Sequence, residues 1–281
     1  MNKRWPLILI LCALNTFNSV MADTQEKPFT VLITGANRGI GLEFAHQYAK
    51  QGWRVIATCR TPARAEALQH IAEHHDNVRI VPLDVTDHAR IEALAAELAD
   101  QPIDVLLNNA ALLGERADQA LGKLDYELFE RIYAVNAIGP MKMIESFTPH
   151  VMASRQKKMV TLGSAAGSID MIRPPADFYQ YRASKAALHL LMKNTALDMR
   201  DRGVLVALIN PGLVDTRGLL DLGPDDPVPE NFQQIIKLIR AGAITMITKT
   251  ESVSKMRTRI EELTNEQTAV FLNYDGEILP W

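Results

Sequence analysis

The stretch that most limits what this chain can fold into is Thr34-Gly35-Ala36-Asn37-Arg38-Gly39-Ile40-Gly41. Ahead of it runs Phe29-Thr30-Val31-Leu32-Ile33, which reads as a buried parallel strand. Behind it, Leu42 to Ala49 carries apolar residues at helical spacing. A glycine turn between a strand and a helix brings backbone N–H groups and the positive end of the helix dipole up to a phosphate. The spacing is G-x-x-x-G-x-G, whereas the general dinucleotide fingerprint is G-x-G-x-x-G. Alone it is weak, because a tight turn with no ligand uses the same glycines.

The pattern around it repeats. Trp53–Thr58, Val78–Leu83, Ile103–Leu107, Lys158–Leu162 and Val204–Ile209 read as further strands. Helical stretches lie between them: Thr61-Pro62 to about His74, Asp87 to Ala99, Leu128 to Met152 interrupted at Gly139-Pro140, and Phe178 to Arg200. Such alternation predicts a single-domain, doubly wound parallel α/β sheet of Rossmann type. The 281 residues, 47% hydrophobic and 22% charged, suit one large domain. A net charge of −3 gives no hint of nucleic acid. Leu213 to Glu230 breaks the pattern with Gly, Pro and Asp, and a helix, Phe232 to Arg240, follows. Residues 213–240 are expected to form a substrate lid. A helix over Ser252–Leu263 and a strand over Ala269–Asn273 close the chain.

Residues 1–22 stand apart from residues 23–281. Lys3 and Arg4 precede an apolar run, Pro6 to Leu14, and Asn18 to Ala22 ends in small residues at cleavage-site spacing. The pattern predicts an export signal. An uncleaved membrane anchor and a cytoplasmic start at Met21 are the competing readings. Loss of the segment removes Cys12 and leaves Cys59 without a disulfide partner in the chain.

Doubly wound sheets bind ligands beyond the carboxyl ends of their strands, so the residues there carry the argument. After the second strand an NAD binder usually has an acid, about 20 residues beyond the glycines, to hold the ribose 2′-OH. This chain has Arg60, with Arg38 in the glycine loop. Two guanidinium groups suit a 2′-phosphate. Each charge-assisted hydrogen bond is worth roughly 1.5–3 kcal/mol. The pair can therefore favour NADP over NAD by about a hundredfold or more. Asp84-Val85 follows the third strand, where a carboxylate can accept from an adenine amino group or sit at a helix N-cap. Asn108-Asn109-Ala110 follows the fourth, placed to brace neighbouring strand ends and the cofactor. Gly163-Ser164 follows the fifth. Asn210-Pro211-Gly212-Leu213-Val214-Asp215-Thr216 follows the sixth, a turn able to offer backbone groups to a nicotinamide.

The sharpest feature is Tyr181-Arg182-Ala183-Ser184-Lys185. On a helix, positions i and i+4 share a face, which sets the Lys185 ammonium beside the Tyr181 phenol. A free tyrosine titrates near pH 10, and a neighbouring cation stabilises its phenolate. Ser164 is placed to hold a carbonyl oxygen. Tyr179 competes for the role, but its i+4 residue is Ala183.

These residues resemble the short-chain dehydrogenase/reductase family. The motifs that carry the resemblance are Thr34 to Gly41, Asp84, Asn108-Asn109-Ala110, Asn136, Ser164, Tyr181-x-x-x-Lys185 and Pro211-Gly212, in the family's order. Tyr-Arg-Ala-Ser-Lys and the ending Phe271-Leu272-Asn273-Tyr274-Asp275-Gly276 to Trp281 look like the C-factor and sniffer-type carbonyl reductase branch. The resemblance implies an NADP(H)-dependent oxidoreductase that interconverts a small-molecule carbonyl and alcohol. It implies Tyr181 as general acid/base and Lys185 as the group that lowers its pKa and holds the nicotinamide ribose. Ser164 orients the carbonyl, and Asn136 anchors a water. The cofactor set is Gly35, Asn37, Arg38, Gly39, Ile40, Gly41, Arg60, Asp84, Val85, Asn108, Ala110, Tyr181, Lys185, Pro211, Gly212, Val214 and Thr216. A homodimer or homotetramer paired through the helices holding Asn136 and Tyr181 is implied as well. Asn-Asn-Ala-Ala replaces the family's usual Asn-Asn-Ala-Gly, and the segment Ile169 to Pro175 is expected to border the substrate cleft.

Two other readings deserve a place. A catalytically silent cofactor sensor is expected to lose Tyr181 or Lys185, and this chain keeps both. His70-Ile71-Ala72-Glu73-His74 matches the zinc-peptidase pattern H-x-x-E-H. No other residue is nominated as a third ligand, so no metal is expected.

Overall fold

A computed structural model describes residues 27–174, 177–223, 226–228 and 232–281. The signal-like segment therefore lies outside the described residues, as do Pro175 and parts of the expected lid. Seven parallel strands form one sheet in the order β3-β2-β1-β4-β5-β6-β9. They are β1 (Thr30–Ile33), β2 (Arg54–Cys59), β3 (Val78–Pro82), β4 (Val105–Asn108), β5 (Lys158–Leu162), β6 (Leu205–Asn210) and β9 (Phe271–Asn273). The order reverses between β1 and β4, and that switch point is where ligands bind in such sheets.

Side chains alternate across the sheet, so each strand feeds two cores. Val31 and Ile33 join Phe44, Tyr48 and Met256 on one face. Leu32 joins Leu94, Phe147 and Met192 on the other. The first face is covered by α1 (Gly39–Lys50), α2 (Glu66–His74) and α8 (Lys249–Glu261). The second is covered by α3 (His88–Glu97), α5 (Gly139–Met152) and α6 (Tyr179–Met199). The edge strand β3 exposes Arg79 and Pro82, as edges tolerate.

The structure departs from the sequence reading in three places. A single 3-10 turn, Pro62–Arg64, precedes α2 where one longer helix was expected. Gly139-Pro140 does not interrupt the long helix. Instead α4 (Tyr126–Tyr133) passes through a π-helical turn, Ala134–Ile138, into α5. Pro140 lies in the first turn of α5, where its missing N–H costs little. Gly139 is required by a close approach: a Cβ there would stand 2.8 Å from the Val85 carbonyl oxygen. A second, two-stranded parallel sheet, β7 (Val214–Asp215) with β8 (Ile247–Thr248), was not expected at all. The region between them holds a 3-10 turn, Leu219–Asp221, and α7 (Gln233–Arg240).

Candidate active site

The glycine loop leaves β1 and is pinned from both sides. Ala36 N–H donates to the Thr58 carbonyl of β2 (2.9 Å). The Asn109 amide donates to the carbonyls of Thr34 (2.8 Å) and Gly35 (3.0 Å). Thr34 Oγ1 accepts from the N–H groups of Asn109 and Ala110 (3.0 and 3.1 Å). Two of the three glycines are demanded by this packing. A Cβ on Gly41 would lie 2.4 Å from Asn109 Nδ2, and one on Gly35 would lie 2.9 Å from Ala110 Cα. Gly39 has φ +57°, and a Cβ there would only touch the Thr216 methyl at 3.5 Å. The loops after β1 and β6 therefore meet across the cleft.

Helix α1 has no side-chain cap and no acid in its first turn. Asn37, Arg38 and Arg60 are exposed and Ile40 is half-buried. Among the described residues neither guanidinium group has an ion-pair or hydrogen-bond partner. Asn108 is 3% exposed, yet neither atom of its amide has a partner. An uncapped helix start, two unpaired guanidinium groups and an orphaned amide fit a dinucleotide phosphate cofactor. The bracing role expected of the Asn-Asn pair falls to Asn109. Asp84 Oδ1 accepts from Thr86 N–H and Oγ1 (2.9 and 2.8 Å), so it organises the turn, and Asp87 caps α3. Val85 is buried against α5. Pro211 offers its carbonyl to Ser252 Oγ (2.7 Å), and Gly212, at φ +81°, makes room for the Tyr274 ring. Val214 enters β7.

The structure brings the four catalytic candidates together. Asn136 sits in the π-helical turn, fully buried. Its Nδ2 donates to the Leu112 carbonyl (2.9 Å) and to Ser184 Oγ (3.0 Å), and its Oδ1 accepts from Leu112 N–H (2.7 Å). The wide turn thus ties the chain after β4 to α6. Ser164 follows β5, and its Oγ accepts from Ala166 N–H (3.2 Å). The Ser164 hydroxyl lies near enough to the Tyr181 phenol to oppose the rise that burial imposes on its pKa. Lys185 is 3% exposed, and its Nζ donates to the Leu162 carbonyl (2.9 Å).

One electrostatic expectation is corrected. Tyr181 stands above its ordinary pKa, because burial outweighs the opposing effect of the Ser164 hydroxyl. The Lys185 ammonium lies 5.9 Å from the centre of the Tyr181 ring and is engaged by the Leu162 carbonyl. Burial lowers Lys185 itself to about 8. In this dry site desolvation is the larger effect on both groups.

Several buried polar residues complete the site: Gln119 and His189 are not singled out by the sequence, and Asn210 and Asp215 enter it only as part of the turn after the sixth strand. Gln119 accepts from Tyr181 N–H (2.9 Å) and donates to the carbonyls of Leu113 and Glu115, holding the first turn of α6. His189, one turn beyond Lys185, accepts from Ser164 N–H at 3.4 Å. Asn210 accepts from Ala165 N–H (3.1 Å). The carboxylate of Asp215 accepts from Arg217 and Leu220 N–H groups, which lowers its pKa against its burial. None of these has a periodic signal in sequence.

The segment after Ser164 lines an apolar cavity of about 270 Å³ with Ala166, Gly167, Ile169, Ile172, Arg182 and Ala183. Tyr181 is not among its lining residues, so this space lies beside the reacting groups and not over them. His70, Glu73 and His74 are exposed on α2, on the opposite face of the sheet from α6.

Comparison with known proteins matches residues 29–226 to the short chain dehydrogenase family model. An uncharacterized oxidoreductase of Schizosaccharomyces pombe is 30% identical over 252 residues, covering 89% of this chain and 96% of that one. The structure of an NADPH-bound carbonyl reductase from chicken fatty liver is similar at 30% identity and a TM-score of 0.75, covering 91% of this chain and all of that one. The carbonyl reductase Sniffer of Drosophila melanogaster shares the fold at 24% identity and a TM-score of 0.75, again over 91% of this chain and all of that one.

Proposed function

Since the chain belongs to the short-chain dehydrogenase family and is an oxidoreductase, we propose that it interconverts a small-molecule carbonyl and its alcohol with NADP(H). The glycine loop, Asn108, Pro211-Gly212 and Thr216 hold the dinucleotide, and Arg38 with Arg60 select the 2′-phosphate. When bound, the cofactor supplies the hydride or accepts it. The chain's own task is to place the carbonyl and manage one proton.

The observation that carries this reading is the meeting of three groups at the end of β5: the Ser164 hydroxyl acts on the buried Tyr181 phenol, and Lys185, one turn further along α6, donates to the Leu162 carbonyl (2.9 Å). Ser164 Oγ polarises the carbonyl oxygen. Tyr181 donates its phenolic proton to that oxygen in reduction and takes it back in oxidation. Burial raises the pKa of Tyr181 and so favours the protonated phenol, the form that reduction needs. Lys185 fixes the end of β5 through the Leu162 carbonyl and sets its charge beside the Tyr181 ring. Asn136 locks α6 to the β4 loop, so the pair keeps its geometry.

Tyr181→Phe tests the mechanism. NADPH binding, followed by fluorescence, is expected to stay within about twofold, while turnover in a carbonyl screen falls by about a hundredfold or more. Wild-type turnover in that variant would refute it. The same screen separates an enzyme from a silent sensor, which binds NADPH and turns over nothing. Leu219 and Phe232, both half-buried, and the buried Ile236 favour an apolar substrate. A homodimer or homotetramer pairs through α5 and α6, where Leu190 and Leu197 are exposed, and sedimentation tests it. Residues 1–22 act as an export signal, which N-terminal sequencing of the native protein tests. Among the described residues no helix is long and apolar enough to cross a membrane.

A further inference from the structure

The H-x-x-E-H stretch is the one motif that the oxidoreductase site does not absorb. It lacked a third ligand when read as a peptidase pattern. The structure supplies one within the motif. His70, Glu73 and His74 occupy positions i, i+3 and i+4 near the end of α2, on one exposed helix face. Their ligand-capable atoms all lie within 4.8 Å of one another. The His70 and His74 rings are 4.2 Å apart and tilted by 52°.

A second observation concerns the tautomer. His74 Nδ1 lies 2.8 Å from the His70 carbonyl oxygen. A carbonyl only accepts, so Nδ1 carries the proton and Nε2 keeps its lone pair. A backbone carbonyl on the other ring nitrogen is the arrangement that fixes ligating histidines. The negative end of the helix dipole, at the last turn of α2, favours a cation there as well.

We propose that His70, Glu73 and His74 form a surface site for a dication of the Zn2+ class. Two imidazole nitrogens and one carboxylate oxygen are the protein ligands, and water completes the shell. This mixed set suits Zn2+, Ni2+ or Cu2+ and not Mg2+ or Ca2+, which need more oxygen ligands. With three protein ligands and full exposure, the ion exchanges freely. It ties the last turn of α2 together and takes no part in the redox chemistry, so the site does not depend on the proposed reaction.

The test is calorimetric titration of the full chain with ZnCl2 at pH 7.5, with Tm measured alongside. One equivalent is expected to bind with a micromolar constant and raise Tm by a few degrees, while Mg2+ does neither. His70→Ala and His74→Ala each weaken binding at least about tenfold. Glu73→Gln weakens it less, and His88→Ala, exposed at the start of α3, leaves it unchanged. All four positions face solvent, and circular dichroism confirms that each variant folds. No saturable Zn2+ binding, or binding unchanged in His70→Ala and His74→Ala, overturns the site. Unchanged binding in Glu73→Gln overturns the three-ligand set.

Discussion

Replacing Lys185 with Met keeps the length of a side chain that is 3% exposed and deletes its charge. Burial lowers this lysine from 10.5 to about 8. At about 1.4 kcal/mol per pKa unit, holding its proton at neutral pH costs the folded state about 3 kcal/mol. Against that stands the hydrogen bond from Nζ to the Leu162 carbonyl (2.9 Å), which Met cannot make. An unpartnered buried carbonyl costs about 1–2 kcal/mol. The cofactor-free Lys185→Met protein is therefore expected to be about 1–2 kcal/mol more stable than wild type at pH 7. The sign with pH follows from proton counts. Between about pH 8 and 10.5 the unfolded chain holds the proton and the folded chain has released it, so wild-type stability rises with pH. Below pH 8 the full penalty stands. The variant's advantage should thus shrink across that window and reverse near its upper end, where only the lost hydrogen bond remains. Urea titrations of both proteins at pH 7, 8, 9 and 10 measure this. A variant less stable than wild type at pH 7, or a difference flat with pH, refutes the reasoning. Turnover should fall by about a hundredfold in the same variant, so the charge is kept for function at the expense of stability.

Other outcomes follow from the same geometry. Arg38→Ala and Arg60→Ala should each weaken NADPH binding about tenfold or more and leave NADH binding nearly unchanged; equal losses for both cofactors would remove the case for a 2′-phosphate site. Gly41→Ala places a methyl 2.4 Å from Asn109 Nδ2 and Gly35 O, and should cost about 2–3 kcal/mol in urea while abolishing cofactor binding. Asp104 accepts from Thr30 N–H (2.8 Å) and from Arg155 and Gln156 N–H groups (3.2 Å each), so Asp104→Ala should cost about 3 kcal/mol of stability.

The parallel sheet was legible because β1, β4, β5 and β6 are nearly continuous apolar runs between helix patterns, and both faces of the sheet are covered. Local spacing also placed Tyr181 and Lys185 together, since i and i+4 need only one helix. What failed to show was non-local or too short. Strands β7 and β8 have two residues each, below any period. The π-helical turn has no composition cue, and Gly139 looked like a breaker because the Val85 carbonyl that requires it comes from a distant segment. Asn108 and Asn109 are adjacent in sequence but do different things, because neighbouring residues at a strand end face different surroundings. The pKa of Tyr181 was misjudged because spacing reveals a nearby cation and not the burial that outweighs it.

His189 shows how much a single missed residue can bear on the reaction. Burial, and after it the Lys185 charge, push its imidazole down to about 3. It is therefore neutral at working pH, with Nε2 accepting from Ser164 N–H at 3.4 Å. The ring is held against Phe271 (centroids 4.4 Å) and near Trp281 (6.1 Å). Trp281 in turn accepts through its carbonyl from Ile169 N–H (3.1 Å), in the segment that follows Ser164. Gly167 fits only because it lacks a Cβ, which would stand 2.8 Å from His189 Cε1. His189 thus positions the backbone from which Ser164 reaches Tyr181. His189→Leu should lower kcat about tenfold with little change in the KM for NADPH, the pattern of lost transition-state placement. His189→Gln, whose amide oxygen can accept the same N–H, should recover part of the loss, which mere repacking would not produce. Because the folded-state pKa is depressed, stability should fall as pH drops below about 6.5, where the unfolded imidazole gains a proton that the folded one refuses. A resonance assigned to the His189 ring that titrates between pH 5 and 8 in the folded protein, or wild-type kcat in His189→Leu, would show that the ring does not hold Ser164 in this way.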